Sequence, residues 1–288
     1  MSASDPRLTV IMPLKNYHDG FLRQALASVM RQTCPLWRLL VVVEPEDFES
    51  FQTLLQNERA DPRVEIIVNR GRRLAGAINS GMKSATTDFV ALLLADDLWS
   101  DDAVETLSRY IGDNPGIDFF HSSRRYLDEQ GRFISSVYPS RESIRLEDFK
   151  FGPAKHLLCW RRSKALSFGG LDESLSSLVG PDDYDFPWTM AENGATFKAV
   201  KECLYYYRNH CECYRLTTHT PLSVNRREVG RILRKHKVPV LARIFILIKK
   251  RLEARIGSPC LYRSNLDRWI TRALGYDVRK RWKQVTYK

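Results

Sequence analysis

Two adjacent carboxylates, Asp96 and Asp97, close the apolar run of the segment VALLLADDLW (90–99). A short apolar run bounded by turn residues predicts a buried strand, so both carboxylates are expected where that strand leaves its sheet. In α/β proteins ligands bind at the carboxyl ends of parallel strands. A pair of hard oxygen donors there suits a divalent cation, which in turn would hold a diphosphate. The same dipeptide also suits a plain turn in which Asp97 or Ser100 caps the next helix. A second group of ligand-type residues, His210-Cys211-Glu212-Cys213, has no partner pair at zinc-finger spacing.

Strand-length apolar runs alternate with segments of helical period: Leu8–Met12 and Phe21–Arg31, Leu39–Val43 and Phe48–Gln56, Val64–Val68 and Leu74–Ser84, Phe89–Leu94 and Asp101–Ile111. Four successive βα units predict an α/β fold with a doubly wound, mixed but mostly parallel sheet flanked by helices. After a strand at Ile117–His121 the pattern changes. Arg124–Leu127 and Phe133–Val137 flank Asp128-Glu129-Gln130-Gly131 and predict a hairpin. Further on come a helix at Ser163–Phe168, a glycine-rich loop at Gly169–Pro181, a helix from about Tyr184 to Asn193, and strands near Thr196–Val200 and Leu204–Tyr207. From Ser223 the sequence predicts basic helices broken at Pro239 and Gly257–Pro259.

The 288 residues carry a net charge of +11, unevenly placed. Residues 226–288 hold 19 Lys/Arg against 4 Asp/Glu, a surplus of +15, which leaves −4 on residues 1–225. This asymmetry predicts a slightly acidic body with a cationic appendage suited to anionic lipid, a polyanionic polymer or nucleic acid. No RNA- or DNA-binding motif accompanies the charge, so no nucleic-acid partner is expected. The N-terminus reads as no signal peptide, and no run approaches the ~20 apolar residues that cross a bilayer. Six scattered cysteines without framework spacing are expected to be reduced thiols. A cytosolic chain follows, peripheral at the inner face of the membrane if the basic segment engages lipid.

Seven blocks carry a resemblance: LTVIMPLKN (8–16), FLRQALASVMRQT (21–33) with LLVVVE (39–44), RRLAGAINSGMKSA (72–85), LLADDLW (93–99), FGGLDESL (168–175), PDDYDFPWTMAENG (181–194) and LYYYRNH (204–210). In this order and at these distances the chain resembles the family-2 inverting glycosyltransferases of the GT-A fold. The resemblance implies a glycosyltransferase domain over 1–222, with a nucleotide-binding half at about 1–120 and an acceptor half at about 121–222, followed by the basic helical appendage 223–288. It implies a nucleotide-diphospho-sugar donor, a UDP-sugar first among them, a divalent metal (Mn²⁺ or Mg²⁺), and a glycan or lipid-linked acceptor.

Carried over residue by residue, the resemblance places Pro13, Leu14, Lys15, Asn16 and Glu44 against the nucleoside. Arg73, Gly76, Asn79, Ala95 and Asp96 then line the donor, with the small residues of α-helical 72–85 letting backbone approach it. The cation falls to Asp96, Asp97 and His210, the acceptor to Gly170 and Trp188. Asp183 becomes the catalytic base with Asp182 beside it. Pro187 requires Asp183 to lie near a helix start. The family motif begins with an Asp where this chain has Leu94, a departure that weakens the expected metal site. Two other readings remain open, a nucleotidyltransferase of related fold and a non-catalytic sugar- or nucleotide-binding relative. The first would need a glycine-rich phosphate loop after the first strand, and PLKNYHDG is not one.

Overall fold

The computed structural model describes residues 7–175, 180–210 and 222–257. Cys211, Glu212, Cys213, part of the 169–181 loop and the sequence from 258 onward, with its Arg279–Lys283 cluster, lie outside the described residues. The chain divides into two compact units. Of the described residues, the first unit holds those up to Arg125 and those within 137–208; the second joins Tyr126–Ser136 to the described residues from Asn209 onward.

In chain order the elements are β1 (Leu8–Leu14), α1 (Asp19–Met30), β2 (Trp37–Val43), α2 (Phe48–Leu54), β3 (Val64–Val68), α3 (Arg73–Ser84), β4 (Phe89–Leu92), β5 (Leu98–Trp99) and α4 (Ala103–Asp113). Then follow β6 (Phe119–Leu127), β7 (Leu158–Arg161), α5 (Arg162–Leu166), a π-turn at Pro181–Asp185 leading into α6 (Phe186–Glu192), β8 (Phe197–Arg208), α7 (Leu222–Lys235) and α8 (Val240–Gly257). The eight strands form one sheet in the order β3-β2-β1-β4-β7-β6-β8-β5. Pairing is parallel from β3 to β4 and antiparallel where β7 meets β4 and β6 and where β5 meets β8.

The central parallel strands β1, β2 and β4 are largely apolar because both faces are covered. Val10, Met12, Leu39, Val41 and Val43 enter one buried cluster, while Ile11, Leu40 and Val42 enter the other. That division is the period of two expected of a strand, and continuous apolar runs are what a parallel sheet buried on both faces requires. Helix α3 lies close against β1 at Gly81, where a Cβ would come 2.7 Å from Ile11 Cγ2.

All four βα units stand where the sequence places them. The predicted hairpin appears as bridges Arg124↔Tyr138 and Leu127↔Phe133. The two short strands expected near 196–207 are one strand, β8, since Lys201, Glu202 and Cys203 continue the extended path between the apolar ends. Strands β5 and β7 were not anticipated; both are too short to carry a periodic signal. Strand β4 stops at Leu92, so Leu94 and Ala95 already belong to the turn that presents the paired aspartates.

Candidate active site

At the carboxyl end of β4 the chain turns with the Asp97 N–H donating to the Leu94 carbonyl at 3.1 Å. The two carboxylates then part. Asp97 is fully buried: Oδ2 accepts from the Tyr205 hydroxyl at 2.6 Å and Oδ1 from the Arg208 N–H at 2.7 Å. Burial, reinforced by the neighbouring Asp96 charge, pushes the Asp97 carboxyl up to about 8 against the opposing pull of those two hydrogen bonds. A buried carboxyl whose two oxygens are both held by donors of the fold does not offer itself to a cation. The assignment of Asp97 as a metal ligand is therefore corrected: it ties β8 to the turn. Asp96 stays half-buried and is the member of the pair that could reach a cation. Its carbonyl accepts from Arg208 Nε at 2.9 Å, and the Arg208 guanidinium, wholly buried, also donates to Gln24 at 2.7 Å and covers the Phe21 ring.

His210 is buried and belongs to the second unit. Among the described residues no three His, Cys, Asp or Glu side chains form a group that could hold a metal. A cation at Asp96 would complete its shell with phosphate oxygens and waters, as Mg²⁺ at phosphate sites commonly does.

The second acidic pair lies on the π-turn. Pro181 and Pro187 occupy first-turn positions of the two consecutive helical segments, where a missing N–H costs least. Gly180, at φ +43°, starts the turn, and a Cβ there would come 2.9 Å from Asp183 Oδ1. Asp182 is buried and pairs with His156 Nε2 at 3.1 Å. Asp183 remains about a quarter exposed and accepts from Lys155 Nζ at 2.8 Å. The Tyr184 hydroxyl donates to the Lys150 carbonyl at 2.7 Å. Three consecutive residues of the turn are thus held by the single segment 150–156. Burial alone would pull the His156 pKa down, but the hydrogen bond and charge of Asp182 outweigh it and raise it. The His156 ring also stacks on Tyr205, centroids 5.1 Å apart. One buried chain, Asp97–Tyr205–His156–Asp182, therefore joins the two carboxylate pairs.

At the end of β2, Glu44 accepts from Asn69 Nδ2 at 3.1 Å and lies 3.9 Å from Lys15 Nζ. Lys15 and Asn16 are exposed at the end of β1, Asn16 at φ +54°, and Pro13 is half-buried. Leu14 is instead a core residue, its side chain packed in the apolar cluster that contains Val10 and Met12. Arg73 begins α3 at φ +61° and reaches the Leu175 carbonyl.

Four further sequence assignments are corrected by packing. Gly76 does not open space for a donor; a Cβ there would come 2.4 Å from the Gly71 carbonyl carbon, so its role is backbone contact across the start of α3. Asn79 is buried and its amide is fully engaged, donating to the Leu171 carbonyl and Glu173 Oε1 and accepting from the Leu171 N–H at 2.9 Å. Gly170, at φ +79°, is pressed against that same amide and positions the loop. Trp188 is buried beside Tyr184, which removes the exposed face a sugar platform needs. Sequence reasoning missed Lys155, His156, Tyr205 and Arg208. The signal for the first two was a Lys-His dipeptide directly before the apolar run LLCW; the others stood inside YYYRNH without a role.

A parallel βα half joined to an antiparallel half, with acidic residues after β4 and before α6, defines an enzyme of the GT-A nucleotide-diphospho-sugar transferase class. Solved structures share this fold. S. aureus TarS in complex with UDP-GlcNAc is 16% identical with a TM-score of 0.62, covering 96% of this chain and 81% of that one. The Pyrobaculum calidifontis mannosyltransferase PcManGT in complex with GDP-Man and Mn²⁺ is 16% identical with a TM-score of 0.57, covering 94% and 76%. The family model for glycosyl transferase family 2 matches residues 9–163, and the chain belongs to that family. An uncharacterized glycosyltransferase of Methanocaldococcus jannaschii is 26% identical over 208 residues, 70% of this chain and 71% of that protein. The UDP-Glc:alpha-D-GlcNAc-diphosphoundecaprenol beta-1,3-glucosyltransferase of Escherichia coli is 28% identical over 137 residues, and the match spans 46% of this chain and only 52% of that enzyme.

Proposed function

We propose that this glycosyltransferase moves a sugar from a nucleoside-diphosphate donor, a UDP-sugar, to a hydroxyl of a glycan or lipid-linked glycan, with inversion at the anomeric carbon. The observation that carries the reading is the buried chain Asp97–Tyr205–His156–Asp182, because it fixes two turns that each keep one accessible carboxylate. Asp183 takes the proton of the acceptor hydroxyl as its oxygen attacks the anomeric carbon. The bond from that carbon to the diphosphate breaks on the opposite face, and the nucleoside diphosphate leaves. Lys155 holds the Asp183 carboxylate in place. Glu44, Lys15 and Asn16 stand where a nucleoside would lie, with Arg73 and Ala95 on the donor side. A divalent cation, Mn²⁺ or Mg²⁺, would be held by Asp96 and would neutralise charge developing on the leaving diphosphate. A lipid-linked acceptor is supported by the name of the Escherichia coli relative. It would locate the enzyme at the inner face of a membrane, consistent with the basic C-terminal sequence.

The test is a donor screen by hydrolysis and transfer across nucleotide sugars, with and without Mn²⁺. One donor is expected to be turned over, with the rate dependent on the ion. A second reading, a non-catalytic binder of nucleotide sugars, draws on Leu94, which replaces the family's first Asp and packs against the apolar cluster containing Ile11 and Val42. Donor binding without turnover in the same screen would select it.

A further inference from the structure

Among the described residues, helix α8 leaves a continuous apolar face uncovered. Val240, Leu241, Ile244, Phe245 and Ile248 are between 51% and 82% exposed, and they supply five of the eight large exposed apolar residues among those described. At 100° per residue these positions fall within an arc of roughly 140° on one side of the helix. The opposite side is used within the second unit. Ile246 is buried, α8 packs on α7, and α7 buries Val229, Ile232 and Leu233. A soluble surface rarely keeps such a patch bare without a partner.

We infer that this face of α8 lies in the interface of an anionic lipid bilayer, with the helix parallel to the surface. The inference gives a surface to the membrane location proposed above, and rests on none of the catalytic assignments. Charge selects the occupant. The sequence of α8 itself carries Arg243, Lys249, Lys250, Arg251 and Arg255 against Glu253, exposed Arg234, Lys235 and Lys237 precede it, and residues 226–288 total +15. A second copy of the chain docking through the same face would bring two such surpluses together, and an isologous contact cannot avoid that. The sequence that follows, 258–288, is itself cationic, with eight Lys/Arg against two Asp. An anionic headgroup layer over an apolar interior suits both residue types: the aliphatic and phenyl groups of residues 240–248 enter the acyl boundary, while the long cationic side chains that follow in the sequence snorkel to headgroup level. Among the described residues no helix is long and apolar enough to cross a membrane, so the contact is along the surface.

The test is flotation of the full chain with vesicles of phosphatidylcholine alone and of phosphatidylcholine mixed with phosphatidylglycerol at about three to one. Recovery on the anionic vesicles should be about tenfold higher, and should fall steeply in ~0.5 M salt, where charges are screened within a few ångströms. L241E/F245E should lose most of that recovery. Both side chains are exposed, so the variant should keep its circular-dichroism melt, and it should turn over soluble donor in the absence of vesicles at the wild-type rate. Equal recovery on the two vesicle types, or undiminished recovery of the double variant, overturns the inference. So does a dimer in analytical ultracentrifugation that the double variant abolishes while neither protein floats. Loss of donor turnover in wild type would count against the catalytic reading alone, leaving the flotation result to stand or fall separately.

Discussion

The pairs Asp96–Asp97 and Asp182–Asp183 follow one plan in opposite order. In each, one carboxylate is buried and bound within the fold, and its neighbour keeps solvent access. The buried member comes second after β4 and first before α6. Their partners differ in kind. Asp97 is held by a phenol and a backbone N–H, neutral donors that cannot offset its desolvation, and its carboxyl rises to about 8. Asp182 is held by His156, whose raised pKa marks a partner able to carry the compensating charge. Adjacent acids in a sequence thus need not act alike, since one of each pair fixes the turn on which the other is presented.

The largest effect is expected at Asp183. Asp183→Asn should leave donor affinity nearly intact and lower transfer by ~10²–10⁴-fold, the usual contribution of a positioned base. Retention of more than half the wild-type rate at saturating substrate would remove it from that role. At the other pair, Asp96→Ala should abolish the Mn²⁺-dependent part of donor binding in calorimetry, whereas Asp97→Asn should retain it. If Asp97→Asn proves the more damaging to ion-dependent binding, the division of labour is reversed.

The role of charge compensation is sharpened by two buried histidines. His121, on β6, has no hydrogen-bond partner at Nε2 among the described residues, and burial drops its pKa to about 4. The unfolded chain, with a histidine near 6.5, binds the proton first, so its contribution is complete above pH 6.5 and is lost as pH falls toward 4. That loss is about 3 kcal/mol at most, and His121→Gln should flatten the stability profile across this window. His156 should show the opposite sign, because its folded pKa is raised. Its contribution is present at low pH and declines as pH rises through the folded value, and Asp182→Asn should erase that decline in thermal melts. The smallest effect is expected at the loop that Asn79 holds. Asn79→Ala leaves the Leu171 N–H and carbonyl without partners and should cost ~1–3 kcal/mol in denaturant unfolding. It should alter donor affinity less than Asp96→Ala does.

The βα alternation, and with it the parallel half of the sheet, was legible because runs such as Leu39–Val43 are apolar at every position and are followed by segments of helical period. The antiparallel half was read less well. β5 spans two residues and β7 four, too few to show a period, and the polar centre of β8 masked a single long strand as two. At the site, carboxylates at turns were visible as residue types, while Gly76 and Asn79 read as donor positions and Gly170 as an acceptor position, although all three serve packing.

What the sequence determined by itself was therefore composition-driven: where strands end, that acids cluster after one strand and before one helix, and that +15 sits on residues 226–288. Tertiary structure decided which acid of each pair faces solvent, because that depends on residues distant in sequence. Tyr205 is 108 positions from Asp97, and Asn79 is 92 from Leu171. It also turned apparent ligand contacts into packing contacts, since whether a glycine makes room for substrate or for backbone is a matter of what lies within 3 Å of its missing Cβ, as Gly71 does at Gly76. Local pattern encodes burial and turns; hydrogen-bond partners across the sheet are set only when β8 closes over the turn after β4.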